Sequence, residues 1–111
     1  MSARLATGLW VSAYLHRLQI EGMGAYVTAR GDPTAGAVLV KCATLDGRAT
    51  AHERVTDWET GGRRWDVVAD GPEAEVDALI ARQRDRDPDL WVIEVESREG
   101  RTLLDDPGLS A

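Results

Sequence analysis

Arg82-Gln83-Arg84-Asp85-Arg86-Asp87-Pro88-Asp89-Leu90-Trp91-Val92-Ile93-Glu94-Val95-Glu96 passes from a charged helical surface to a strand within a few residues. The alternating charges before Asp87 suit the solvated side of a helix. Pro88 cannot continue that helix, and it biases Asp87 toward extended backbone. The period of two that follows puts Trp91, Ile93 and Val95 on one strand face, with Val92, Glu94 and Glu96 on the other. A helix-to-strand connection near the C-terminus is therefore the anchor of the fold.

Upstream of it, Val76, Leu79, Ile80 and Gln83 recur at the helical period, after a start marked by Asp70-Gly71-Pro72 and the acids Glu73 and Glu75. Residues 8–21 form a first helix with Val11, Tyr14, Leu15 and Leu18 on one stripe, Thr7 as N-cap and Gly22 as C-terminal stop. Leu9, Trp10 and Ile20 widen its apolar surface, so cover on more than one side is expected. Ala25–Arg30 reads as a short strand, and Gly31-Asp32-Pro33 as a turn. Ala35–Leu45 is almost continuously apolar, the pattern of a central strand or one covered on both faces. Asp46-Gly47 signals a hairpin into the more polar Arg48–Val55. A loop from Thr56 to Gly62 leads to a short strand, Arg63–Val68.

The resulting order, α-β-β-β-β-α-β, predicts an α+β domain with one mainly antiparallel sheet of four to five strands. Two helices pack on that sheet, and placing both on one face satisfies the order. Residues 1–102 form the single domain, and the tail 103–111 is expected to be partly disordered.

A chain of 111 residues with 43% hydrophobic residues can build one core without metal or disulfide support. There is no Phe, so the four Trp and two Tyr supply its large side chains. Trp58, between Asp57 and Glu59 in a loop, is the exception and a candidate contact residue. Cys42 stands alone among apolar neighbours, which excludes an internal disulfide and suggests a buried thiol. Acids outnumber bases 19 to 13, for a formal charge of −6, which argues against nucleic acid and anionic membrane as partners. No apolar run reaches the ~20 residues that span a bilayer, so a soluble cytoplasmic protein is expected.

Leu9-Trp10-Val11-Ser12-Ala13, Arg30-Gly31-Asp32-Pro33, Ala35-Gly36-Ala37-Val38-Leu39-Val40, Trp65 and the segment Asp87 to Glu96 together carry a family likeness. In these residues the chain resembles the domain-of-unknown-function 1491 family of small alphaproteobacterial proteins, from about residue 4 to residue 104. The resemblance implies a single-domain bacterial cytoplasmic protein, and it brings no activity, ligand or catalytic residue with it.

The polar residues assemble no recognisable active site, so catalytic residues are assigned to none. Ser12 and His16 lie four apart on a helix without a third orienting group. His52 reads as a surface residue. Gly22-Met23-Gly24 lacks the third glycine and preceding strand of a phosphate loop. The acids Asp85, Asp87, Asp89, Glu94 and Glu96 read first as solvated side chains; a weak Mg²⁺ or Ca²⁺ site competes, but no calcium-loop spacing is present. No metal site and no cofactor is therefore assigned.

The leading expectation is a non-catalytic interaction or assembly module for a protein partner or a homodimer. Its contact surface would be a sheet edge or the Trp58–Trp65 region with Arg63 and Arg64. The alternative is a small-molecule or divalent-metal-binding protein, possibly an enzyme, using Arg30, Asp32, Glu94 and Glu96. RNA binding through the Arg-rich 63–64 and 82–86 segments is weakest, because Asp interleaves the latter and no stacking aromatics accompany it.

Overall fold

Val38–Ala43 is buried at all six positions, so it must sit inside the sheet with both faces covered. The computed structural model describes residues 5–106 and 109 and bears this out. Its elements are α1 (Thr7–Ile20), β1 (Gly24–Ala29), β2 (Val38–Ala43), β3 (Arg48–Thr56), β4 (Arg63–Pro72), α2 (Glu73–Arg86) and β5 (Trp91–Glu96). The sheet runs β1-β5-β2-β3-β4. Only β2 and β5 pair in parallel; the other three pairings are antiparallel. The expected α+β architecture and element order hold.

The helices do not share a face. Trp10, Val11, Tyr14 and Leu18 of α1 pack with Val38 and Val40 of β2 and with Trp91, Ile93 and Val95 of β5. Val76 of α2 packs with Leu39, Ala49, Ala51 and Val92, on the opposite side of the same strands. The molecule is thus three layers, helix on sheet on helix, and that is why β2 has no polar face of its own. A strand buried on both faces needs cover on each side of it.

Expected cover on more than one side of α1 is also corrected, since Leu9 and Ile20 each remain 62% exposed. Thr7 is not the cap: Ala6 takes that position, and the buried Thr7 hydroxyl donates to the Gly36 carbonyl at 2.8 Å. The free N–H groups of Thr7 and Gly8 donate instead to the carbonyls of Thr34 and Pro33. At the other end Gly22, at φ 72°, stops the helix as expected. Its N–H donates to Gln19, and that of Met23 to Leu18, the paired bonds of a Schellman stop.

The tail begins as a strap over the α1 side. Leu104 and Leu109 join the core, the Trp10 indole N–H donates to the Leu109 carbonyl at 2.8 Å, and the Tyr14 hydroxyl to that of Thr102 at 2.7 Å. The expectation of disorder over 103–111 falls partly on residues 107, 108, 110 and 111, which lie outside the described residues.

Candidate functional site

The β3–β4 hairpin ends in the turn 57–62, where the Asp57 carboxylate accepts the N–H groups of Glu59 and Thr60. That turn lifts Trp58 clear of the molecule, at 91% exposure. An indole in water is a large apolar surface held out for contact. Arg64, just beyond the turn, pairs with Asp57 at 3.7 Å and Asp66 at 3.1 Å; Arg63 is half-buried beside it. The three residues expected in the contact surface therefore stand at one end of one hairpin. Both outer strands, by contrast, carry bulges, in β1 between Val27 and Ala29 and on the β3–β4 pairing at Ala51/His52. Bulges and charges blunt an edge against added strands.

Arg30 and Asp32 are brought together with the start of β5, not with Glu94 and Glu96. The Arg30 guanidinium lies over the Trp91 ring at 5.2 Å. The Asp32 carboxylate accepts the N–H of Ala35 at 2.8 Å, and its carbonyl takes the Trp91 indole N–H at 2.8 Å. Asp32 also donates its N–H to the Asp89 carbonyl. Arg84 donates to the carbonyls of Arg30 and Pro88 and so ties the end of α2 to the same corner. The segments 30–37 and 87–91 are thus two halves of one structural joint.

Glu94 and Glu96 face α2, across the sheet from Trp91. Glu96 accepts the Tyr26 hydroxyl at 2.6 Å, and that carboxylate holds the Tyr26 phenol above its ordinary range. Glu94 belongs to a cluster centred on Lys41, whose ammonium meets Glu73 at 2.7 Å, Asp77 at 2.7 Å and Glu94 at 3.2 Å. Burial alone would lower the Lys41 pKa, but bonds to Asp77, Glu73 and Glu94 together raise it. The ammonium thus stands among these acids where a bound cation would, and among the described residues no group of His, Cys, Asp and Glu is placed to hold a metal.

A third feature went unsuspected in the sequence. Between the β3–β4 arm and the strap lies an open cleft of about 720 Å³ whose lining includes Arg54, Arg63, Arg64 and Arg101. Arg54 lies over the Trp10 ring at 5.1 Å, and Trp10 in turn packs against Trp65 at 5.4 Å. His52 is half-buried at the inner end, not a surface residue; burial lowers its pKa, and its Nε2 bonds to the Thr50 hydroxyl at 2.9 Å. Cys42 is fully buried and burial raises its thiol pKa, the state of an unreactive cysteine. Ser12 and His16 are both exposed on α1. The signal for the cleft was present in the β3 sequence, where Thr50, His52 and Arg54 alternate onto one face, but only the strap makes that face a wall.

The model of a protein family, "Protein of unknown function (DUF1491)", matches residues 5–105. No curated protein matches the chain. Among solved structures, the crystal structure of a DUF1491 family protein from Caulobacter crescentus CB15 is 37% identical, with TM-score 0.81 over 93% of this chain and 95% of that one. An NMR structure of a DUF1491 family protein from the same organism gives 37% identity and TM-score 0.82, covering 96% and 97%. A solution structure of a protein from A. tumefaciens is 33% identical, with TM-score 0.77 over 92% and 93% of the two chains.

Proposed function

The chain belongs to the DUF1491 family, a family of unknown function, and from that premise we propose that it is a non-catalytic interaction module of the bacterial cytoplasm. The observation that carries this reading is Trp58, 91% exposed at the tip of the β3–β4 hairpin. Large aromatic side chains concentrate binding energy in protein contacts, and a tip held by its own Asp57 turn is preorganised for one. Val67, on the same arm, adds a second exposed apolar side chain, at 60%. The bacterial sources of the similar structures support the bacterial assignment. One cysteine, buried and unable to form an internal disulfide, suits a reducing compartment.

The partner is a protein offering an apolar pocket to the hairpin tip, and a second copy of this chain is the first to test. Trp58→Ala should abolish concentration-dependent association in sedimentation, or capture of a heterologous partner, and leave Tm nearly unchanged. A large fall in Tm would return Trp58 to the core and remove the reading.

A further inference from the structure

We infer that a second copy of this chain packs on the outward face of α1, the two helices antiparallel about a two-fold axis. Leu9, Ala13, His16 and Ile20 follow one another by four, three and four residues, the spacing of a coiled-coil seam. All four are exposed, on the side of the helix away from the buried Val11, Tyr14 and Leu18. Ala13, His16, Arg17 and Ile20 also border a notch of about 250 Å³, closed at one side by Leu109 and Asp106 of the strap. Those helix positions are i, i+3, i+4 and i+7, the four-residue hole that receives one knob from a facing helix. The notch is smaller than the roughly 300–1,000 Å³ of small-molecule sites, so its size is that of a side chain.

The same helix carries the matching knob. With the axis between Ser12 and Ala13, Leu9 of the second copy meets His16 and enters the notch, and its Leu5 meets Ile20. The contact is isologous, so each pairing occurs twice. At the axis stand the small side chains of Ser12 and Ala13, which let the helices approach closely. Charge selects the same face. Residues 5–20 contain no acid, in a chain that has 19 and a formal charge of −6. An acidic chain repels its own copies, and α1 is where that repulsion is least. The one arginine of the stretch, Arg17, is already answered by Asp106 at 2.9 Å and Glu21 at 3.3 Å. A helix of 14 residues is about 21 Å long. Such an interface is small for a specific pair, so association at about 10–100 µM is expected. Trp58 takes no part in it, which leaves the hairpin tip to a different protein.

The test is sedimentation of the full chain from about 5 to 500 µM, a range that brackets the expected constant. A monomer–dimer equilibrium is expected, and added salt should not weaken it, because the contact is apolar and the chain acidic. Leu9→Glu and, separately, Ser12→Arg should each weaken it by about a hundredfold or more, since every change acts twice in a two-fold contact. Both positions are exposed, so Tm should stay near that of the parent chain, and two sites guard against one that disturbs the helix. Ala13→Cys, beside the axis, should link two chains by a disulfide under mild oxidation, whereas Arg82→Cys on α2 should not. Trp58→Ala should dimerise normally, and the hairpin-tip reading is then judged on capture of a heterologous partner alone. Dimers lost with Trp58→Ala and kept with Leu9→Glu would assign self-association to the tip and overturn this proposal. A monomer throughout the range, or a dimer indifferent to both Leu9→Glu and Ser12→Arg, overturns it as well.

Discussion

Lys41 is the residue that sequence reading undervalued. It is the only lysine in the chain and interrupts an otherwise apolar strand; that isolation was the available signal. Its side chain is 6% exposed, whereas those of Glu73, Asp77 and Glu94 are 39%, 54% and 25% exposed. The acids can rehydrate if the lysine is removed, but the ammonium cannot if they are neutralised. Lys41→Met should therefore cost about 1 kcal/mol in urea denaturation, and the Asp77→Asn, Glu94→Gln double variant about 3 kcal/mol. The opposite ranking would show that the cluster does not work by desolvation of the lysine. His52 makes a second prediction at this scale. Its folded pKa is depressed by burial, so below the ordinary value of about 6.5 the unfolded chain binds a proton that the folded one resists. Stability should fall as pH drops below about 6.5 toward its folded pKa, and His52→Gln should flatten that slope. An unchanged slope would place the titration elsewhere.

Among the elements, the alternation of β5 was fully legible: Trp91, Ile93 and Val95 do meet one helix, and Val92 the other layer. What alternation cannot say is which helix covers which side, because that depends on the crossover joining β2 to its parallel neighbour β5. Strand β4 was read too short for a related reason. It runs to Pro72 because Arg48 and Ala49 pair with Pro72 and Gly71, and an outer strand tolerates a proline that a central one does not. The joint between segments 30–37 and 87–91 explains why both read as distinctive. A Cβ on Gly31 would lie 2.0 Å from the Asp89 carbonyl oxygen and 2.7 Å from the Trp91 ring. Gly31→Ala should cost about 3 kcal/mol or more, read from the denaturation midpoint, since backbone cannot yield as a flexible side chain would. A loss under about 1 kcal/mol would mean the joint is loose.

At the scale of the whole molecule, the three-layer frame engages several of the polar groups that the sequence singled out. Cys42 is sealed in, Asp32 is spent on its own turn and on Trp91, and Glu94 and Glu96 answer to Lys41 and Tyr26. What the frame presents outward is the hairpin arm. Its exposed tryptophan was legible from Asp57-Trp58-Glu59, whereas the cleft beside it was not, because it is closed by a strap 50 residues further along the chain than the β3 side chains it faces, Arg54 against Leu104. The most direct test is photo-crosslinking in bacterial cells from a benzophenone side chain placed at position 58 and, as the control, at position 82 on α2. Contact through the hairpin tip predicts one dominant adduct from position 58 and none from position 82. The same adducts from both positions, or none from position 58, would contradict it.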